Sequence, residues 1–205
     1  MKLIITSTLS LLVALAALAA VPKQQLPDSS TQDAELACIT MNTERLPLDS
    51  RRSPLDSISF NLQDGMVKVC YGSPGARGRA VFGELVPYDQ LWRTGANEPT
   101  MIHTSVPLEV AGVRIDPGSY ALYTVPGKDE WEIVINSSTT QWGHERFYND
   151  EIRAYEVGRG KAKSGSTDEY VESFTIRAQP AEGGNATVYL EWEETRVEIP
   201  ISNAG

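Results

Sequence analysis

From Pro54 onward, apolar residues recur at every second place. In "SISFNLQDGMVKVCY", Ile58, Phe60 and Leu62 alternate with polar neighbours, Asp64-Gly65 offers a two-residue turn, and Val67, Val69 and Tyr71 alternate back. This pattern predicts a hairpin whose turn sets the register: Leu62 opposite Val67, Phe60 opposite Val69, and Ile58 opposite Tyr71. Cys70 then points to the other face, across from Ser59 and beside Lys68 and Asn61. "LEVAGVRI" repeats the device, with Leu108 against Ile115 and Val110 against Val113 around Ala111-Gly112, and Glu109 facing Arg114 on the wet side. "IDPG" turns the chain into "SYALYTV", "PGKDE" turns it into "WEIVIN", and "FTIRA", "ATVYLEW" and "RVEIPI" alternate near the end. The only helical hint is a short turn between Tyr148 and Tyr155. About nine short strands joined by Gly/Pro turns predict an all-β fold, an antiparallel β-sandwich or jelly roll, in a single domain over residues 54–202.

The first twenty residues, "MKLIITSTLSLLVALAALAA", break this pattern with one positive charge at Lys2 and a weakly polar to apolar run that ends in small residues. They read as a secretory signal peptide cleaved near Ala19 or Ala20; a membrane anchor is the alternative, but the Ala-rich end suits a peptidase better than a lipid core. Residues 21–53 are polar and aperiodic, a leader expected to have little structure of its own. No later stretch approaches membrane length, so the mature chain is expected to be exported, periplasmic or secreted, with no membrane span. In that oxidising setting the two cysteines, Cys38 and Cys70, most simply form one disulfide, pinning the leader to the outer face of the first hairpin. Cys38 lies too far past the signal for lipid attachment.

Composition narrows the function classes. At 41% hydrophobic and 22% charged residues the chain is ordinary globular material. Without Lys2 the balance is 17 basic against 27 acidic residues, a net charge of about −10 that repels nucleic acid.

Two segments refuse the alternation. "YGSPGARGRAVFGELVPYDQLWRTGANEP", residues 71–99, holds five glycines and three prolines, and "NSSTTQWGHERFY" spans residues 136–148. Loops this long are functional or disordered, and these are too aromatic for disorder. With "PGSYALYTVPG" and the closing "LEWEETRVEIPI", they resemble the bacterial secreted family catalogued as domain of unknown function 2911, from about Ser53 to Ile201 and in the same order. The Arg-Thr-Gly-Ala-Asn-Glu run and the Gln-Trp-Gly triplet are its specific parts. The resemblance implies a β-rich exported domain and no established activity. The chain departs from the pattern at Leu55, where many relatives have His, and at Ser73, where many have Arg; these departures favour binding or structure over chemistry.

The candidate ligand-binding residues are Arg77, Arg79, Trp92, Arg93, Asn97, Glu98, Gln141 and Trp142. Trp92 and Trp142 offer aromatic plates, Arg79 and Arg93 hold anionic or hydroxyl groups, and Asn97 and Glu98 fix orientation. A structural reading competes: Arg93 pairs with Glu98, Asn97 satisfies turn amides, and Arg77 and Arg79 are surface charges. The nucleophile-elbow, zinc-helix and Cys-x-x-Cys templates are missing. His103, in "TMIHT", reads as a structural histidine, and a metal held by His103 with His144 lacks the spacing of a zinc site. Glu84, Glu98 and Glu145 are too generic to specify a glycosidase, and the "NAT" triplet at Asn185 reads as a chance match to a glycosylation acceptor. The expectation is an exported protein, more a binder than an enzyme and without a cofactor, taking a small polar or carbohydrate-like ligand through loops 77–98 and 141–144. A structural or protein-interaction module of the cell envelope is the alternative, with its partner protein unspecified, and a hydrolase using Glu98 with His144 or Glu145 comes third.

Overall fold

A computed structural model describes residues 36–63 and 65–205. The expected signal segment and the leader up to residue 35 lie outside the described residues. Nine strands form one antiparallel sheet: β1 (Leu55–Leu62), β2 (Gly65–Gly72), β3 (Thr100–Thr104), β4 (Leu108–Val110), β5 (Val113–Ile115), β6 (Gly118–Val125), β7 (Glu130–Asn136), β8 (Glu156–Ala181) and β9 (Asn185–Asn203), with one short helix, α1 (Asp150–Arg153). The order across the sheet is β1-β2-β3-β6-β7-β8-β9-β4-β5.

The fold is the expected antiparallel, sandwich-like one. The sheet curls over its own core, so that residues far apart in the strand order meet. At one end Asn203 donates from its amide to Gly184 O at the β8–β9 tip and from its side chain to Gln63.

The β4–β5 hairpin has the expected register, with Ala111 (φ 49°) and Gly112 (φ 85°) supplying the left-handed turn residues that such a hairpin requires. The first hairpin is shifted. Leu62 faces Gly65, Phe60 faces Val67, Ile58 faces Val69, and Cys70 lies opposite Ser57. The chain turns after Leu62, with Gln63 at φ 53°. Gly65 belongs to the strand because a Cβ there would stand 2.8 Å from Val106 Cβ. The slip is two residues, so every side chain keeps its predicted face. "ATVYLEW" and "RVEIPI" are one strand, β9, bent at Glu193 (φ 51°) beside a register shift in β8. β8 also runs through the polar "EVGRGKAKSGSTDEYVES", which carries no strong alternation.

Two apolar clusters result. The main core lies inside the curled sheet and runs from Val67, Val69 and Ile102 to Ile133, Ile135, Leu190 and Trp192. The second lies on the opposite face of β3, β6 and β7: Met101, Ala121, Tyr123 and Val134, joined by Tyr148 and covered by Ile39, Met41, Leu91, Val125 and Ile152. β3 is therefore buried along its whole length. Residues 36–53 have little regular structure, a single 3-10 turn at Leu48–Ser50, yet they supply part of the lid of this second core. The Cys38–Cys70 disulfide fastens them there. Among the described residues no helix is long and apolar enough to cross a membrane.

Candidate functional site

The Gly/Pro-rich segment after β2 plugs one end of the core. Phe82 lies 5.0 Å, centroid to centroid, from Trp131 and edge-on to Trp92 and Trp192, and Trp92 is 5.3 Å from Phe174. Each such pair contributes about 0.5–1.5 kcal/mol beyond the area it buries. Trp92, 6% exposed, also exchanges backbone hydrogen bonds with Thr124. "LWRTGANEPT" is dense because it must bend sharply while buried. Thr94 (φ 59°), Gly95 (φ 149°) and Asn97 (φ 66°) all adopt positive φ. For β-branched Thr94 this is strained, and its surroundings hold it: its hydroxyl donates to Thr124 Oγ1 at 3.0 Å and its carbonyl accepts from Thr100 Oγ1.

The charged and amide side chains of this loop divide between inward and outward duties. Glu98 is buried and forms a two-point ion pair with Arg51, NH1 to Oε2 at 2.7 Å and NH2 to Oε1 at 2.9 Å, while the Met41 amide donates to the same Oε1. Arg51 also donates to the carbonyls of Met41 and Leu46. Asn97 donates to the carbonyl of Ser53. Glu98 therefore bonds to the segment before β1 rather than to Arg93. Both of its carboxylate oxygens are engaged in these internal bonds.

Arg93 pairs across to the second loop, with NH1 3.3 Å from Glu145 Oε2. The two aperiodic loops thus converge. Gly143 lies directly on the other loop's backbone, where a Cβ would come within 2.7 Å of Glu98 C and Pro99 N. Gln141 faces inward: its amide donates to Tyr123 Oη at 2.8 Å and its carbonyl oxygen accepts from Ser138. Burial pushes the Tyr123 phenol up to about 12.

Where the loops meet, a pocket of about 410 Å³ opens, within the usual size of small-molecule sites. Trp92, Trp192, Leu85 and Val86 give it apolar walls, and Arg77, Arg79, Arg93, Glu145, His144 and Ser53 provide its polar groups. The Arg77–Gly78 turn, with φ of 54° and 69°, carries two of the arginines. Arg77 NH2 donates to Arg52 O, and Arg79 donates to Ala76 O from Nε and to Gly75 O from NH2. These acceptors are neutral carbonyls, and among the described residues neither side chain is in an ion pair.

A family model described as "Protein of unknown function (DUF2911)" matches residues 53–201, from just before β1 almost to the end of β9. The chain belongs to the DUF2911 family. Comparison with curated proteins and with solved structures finds no match. Leu55, which opens β1 opposite Gly72, and Ser73, which donates its hydroxyl to Phe174 O, are not among the residues that line the pocket.

Of the eight residues singled out from sequence, Arg77, Arg79, Trp92 and Arg93 line the DUF2911 pocket. Glu98, Asn97 and Gln141 serve internal bonds, and Trp142, half-buried, is outside the pocket lining. His103 is buried on β3 against Ser119, 2.8 Å from Nδ1 to Oγ, away from His144 at the pocket. Among the described residues no His, Cys, Asp or Glu group is arranged to hold a metal ion. Sequence reasoning missed Arg51, Ser53 and Trp192. Trp192 had a readable signal as an apolar position in an alternating strand; Arg51 sits in a polar, aperiodic stretch and had none.

Proposed function

We propose that this DUF2911 domain is an exported binding protein whose pocket, between the 77–98 and 141–145 loops, takes a small polar or carbohydrate-like ligand. The observation that carries the reading is the pocket itself: about 410 Å³, with apolar and aromatic walls and directional side chains at its rim. Ring faces of sugars bury well on apolar walls while their hydroxyls take up hydrogen bonds from arginine and carboxylate groups. Export is supported by the leading segment and by the disulfide between Cys38 and Cys70. A structural envelope role is the second reading, favoured by the burial of Trp92 within the aromatic core.

Calorimetric titration of the oxidised protein against mono- and disaccharides tests the proposal, with Gln90→Phe, an exposed change at the pocket wall, as control. The expected result is heat from at least one sugar that Gln90→Phe abolishes without lowering the melting temperature. Silence across the panel, or binding that survives the blocked pocket, refutes the proposal.

A further inference from the structure

The rim of the pocket has the opposite sign to the protein around it. The chain carries 18 basic and 27 acidic residues, a formal charge of −9, yet the pocket is lined by three arginines against one carboxylate, Glu145. That carboxylate is already engaged by Arg93. Neither Arg77 nor Arg79 has a carboxylate oxygen within ion-pair distance among the described residues. The nearby Glu172 accepts from the Arg77 backbone amide at 2.8 Å and forms no ion pair with either side chain. NH1 of each of these two arginines makes no hydrogen bond among the described residues, and Arg93 Nε is buried with no partner. Guanidinium forks held by neutral carbonyls, with N–H groups left over, are preorganised for two-point contact with an oxyanion. In an acidic protein such a patch also concentrates anions locally.

Resting on the binding reading above, we propose that the ligand is an organic anion of sugar size, whose carboxylate or phosphate is gripped by Arg77 and Arg79 while its ring lies against Leu85, the exposed apolar side chain of the pocket wall. The carboxylate and phosphate versions share the same chemistry, an oxyanion attached to an uncharged ring. Arg93, tethered to Glu145, closes the far side. A neutral sugar would leave the two cations of the rim unpaired, and a bare oxyanion would leave the apolar wall unused.

Calorimetry with glucuronate, glucose 6-phosphate, glucose and inorganic phosphate, on wild type, Arg77→Gln and Arg79→Gln, tests this. Both substitutions are at exposed side chains, and melting temperatures confirm that the variants fold. The expected result is that glucuronate or glucose 6-phosphate binds at least about tenfold tighter than glucose, that each arginine substitution weakens binding by about tenfold or more, and that added salt weakens it further. Whichever acid binds better identifies the oxyanion. Equal binding of glucose and both acids, unaffected by the substitutions, overturns the anion assignment and leaves the binding reading standing. Inorganic phosphate binding as tightly as the organic anions overturns the sugar-sized part. Silence from all four probes overturns the proposal, and the saccharide titration with Gln90→Phe then decides the broader reading separately.

Discussion

Replacing Arg51 with Met should cost this fold more than any other single change at an arginine. The Arg51 side chain is fully buried and Glu98 is 6% exposed, so the substitution deletes the two hydrogen bonds to Glu98 at 2.7 and 2.9 Å, together with those to Met41 O and Leu46 O, and leaves the Glu98 carboxylate in the interior with the Met41 amide as its one remaining partner among the described residues. Breaking one side of a buried ion pair costs about 3–5 kcal/mol, because the remaining charge stays desolvated. For a domain of this size each kcal/mol lowers the melting temperature by about 2–4 °C, so the expected drop is about 6–20 °C. The double variant Arg51→Met with Glu98→Met removes both charges and should lose clearly less than the sum of the single changes. Urea unfolding of all four proteins, kept oxidised so that the disulfide still holds residues 36–53, gives the cycle. A single-variant loss below about 1 kcal/mol, or strict additivity, refutes the claim that this pair fastens the segment before β1 to the loop after β2.

Cys38→Ser opens a covalent loop with a sequence separation of 32 and should lower the stability of the oxidised protein by about 3–4 kcal/mol; an equal gap between wild type and variant under reducing conditions would contradict this. Gly143→Ala puts a methyl group into the backbone of Glu98 and Pro99 and should cost about 1–3 kcal/mol, readable as a lower urea midpoint; an unchanged midpoint would mean that the loops are not in contact. His103 is held below its ordinary value, first by burial and then by the Lys68 charge. The neutral ring is thus the folded form, and its contribution is complete above the unfolded value of about 6.5 and is lost as pH falls below it. His103→Gln should flatten the fall in stability between pH 7.5 and 5.5, and parallel slopes for the two proteins would rule out this histidine as the source.

Much of the fold was legible because alternation is a local property. The β4–β5 hairpin was read with its register, since Ala111-Gly112 is both a turn signal and the turn. The first hairpin was misplaced by two residues because Asp64-Gly65 looks like a turn, while Gly65 is there to admit Val106, a contact 41 residues away in sequence. β8 was largely missed: where one strand pairs in turn with β7 and β9 and has much of its surface exposed, no regular apolar period is needed.

The candidate site was legible by residue type and not by role. Arg, Asn and Glu in "RTGANE" were recognisable as costly loop residues, but pairing Glu98 with Arg51 rather than Arg93 depends on which of twelve arginines the fold brings near. Ion pairs and pocket walls are set by contacts of long sequence separation, and a linear string does not encode those one residue at a time.

By itself the sequence determined the strand periodicity, the antiparallel class, the places where the chain must turn, the acidic surface charge, and the two loops that depart from the pattern. Those follow from steric preference and burial within a few residues of each position. Only the tertiary structure decided that the two loops meet at Gly143, that Trp92 belongs to the core while also lining the pocket, and that Arg77 and Arg79 line it without an ion pair among the described residues. The physical reason is that curling one sheet over its main core brings β2, β8, β9 and both loops to the same end, and charge and exposure there depend on neighbours that are remote in sequence.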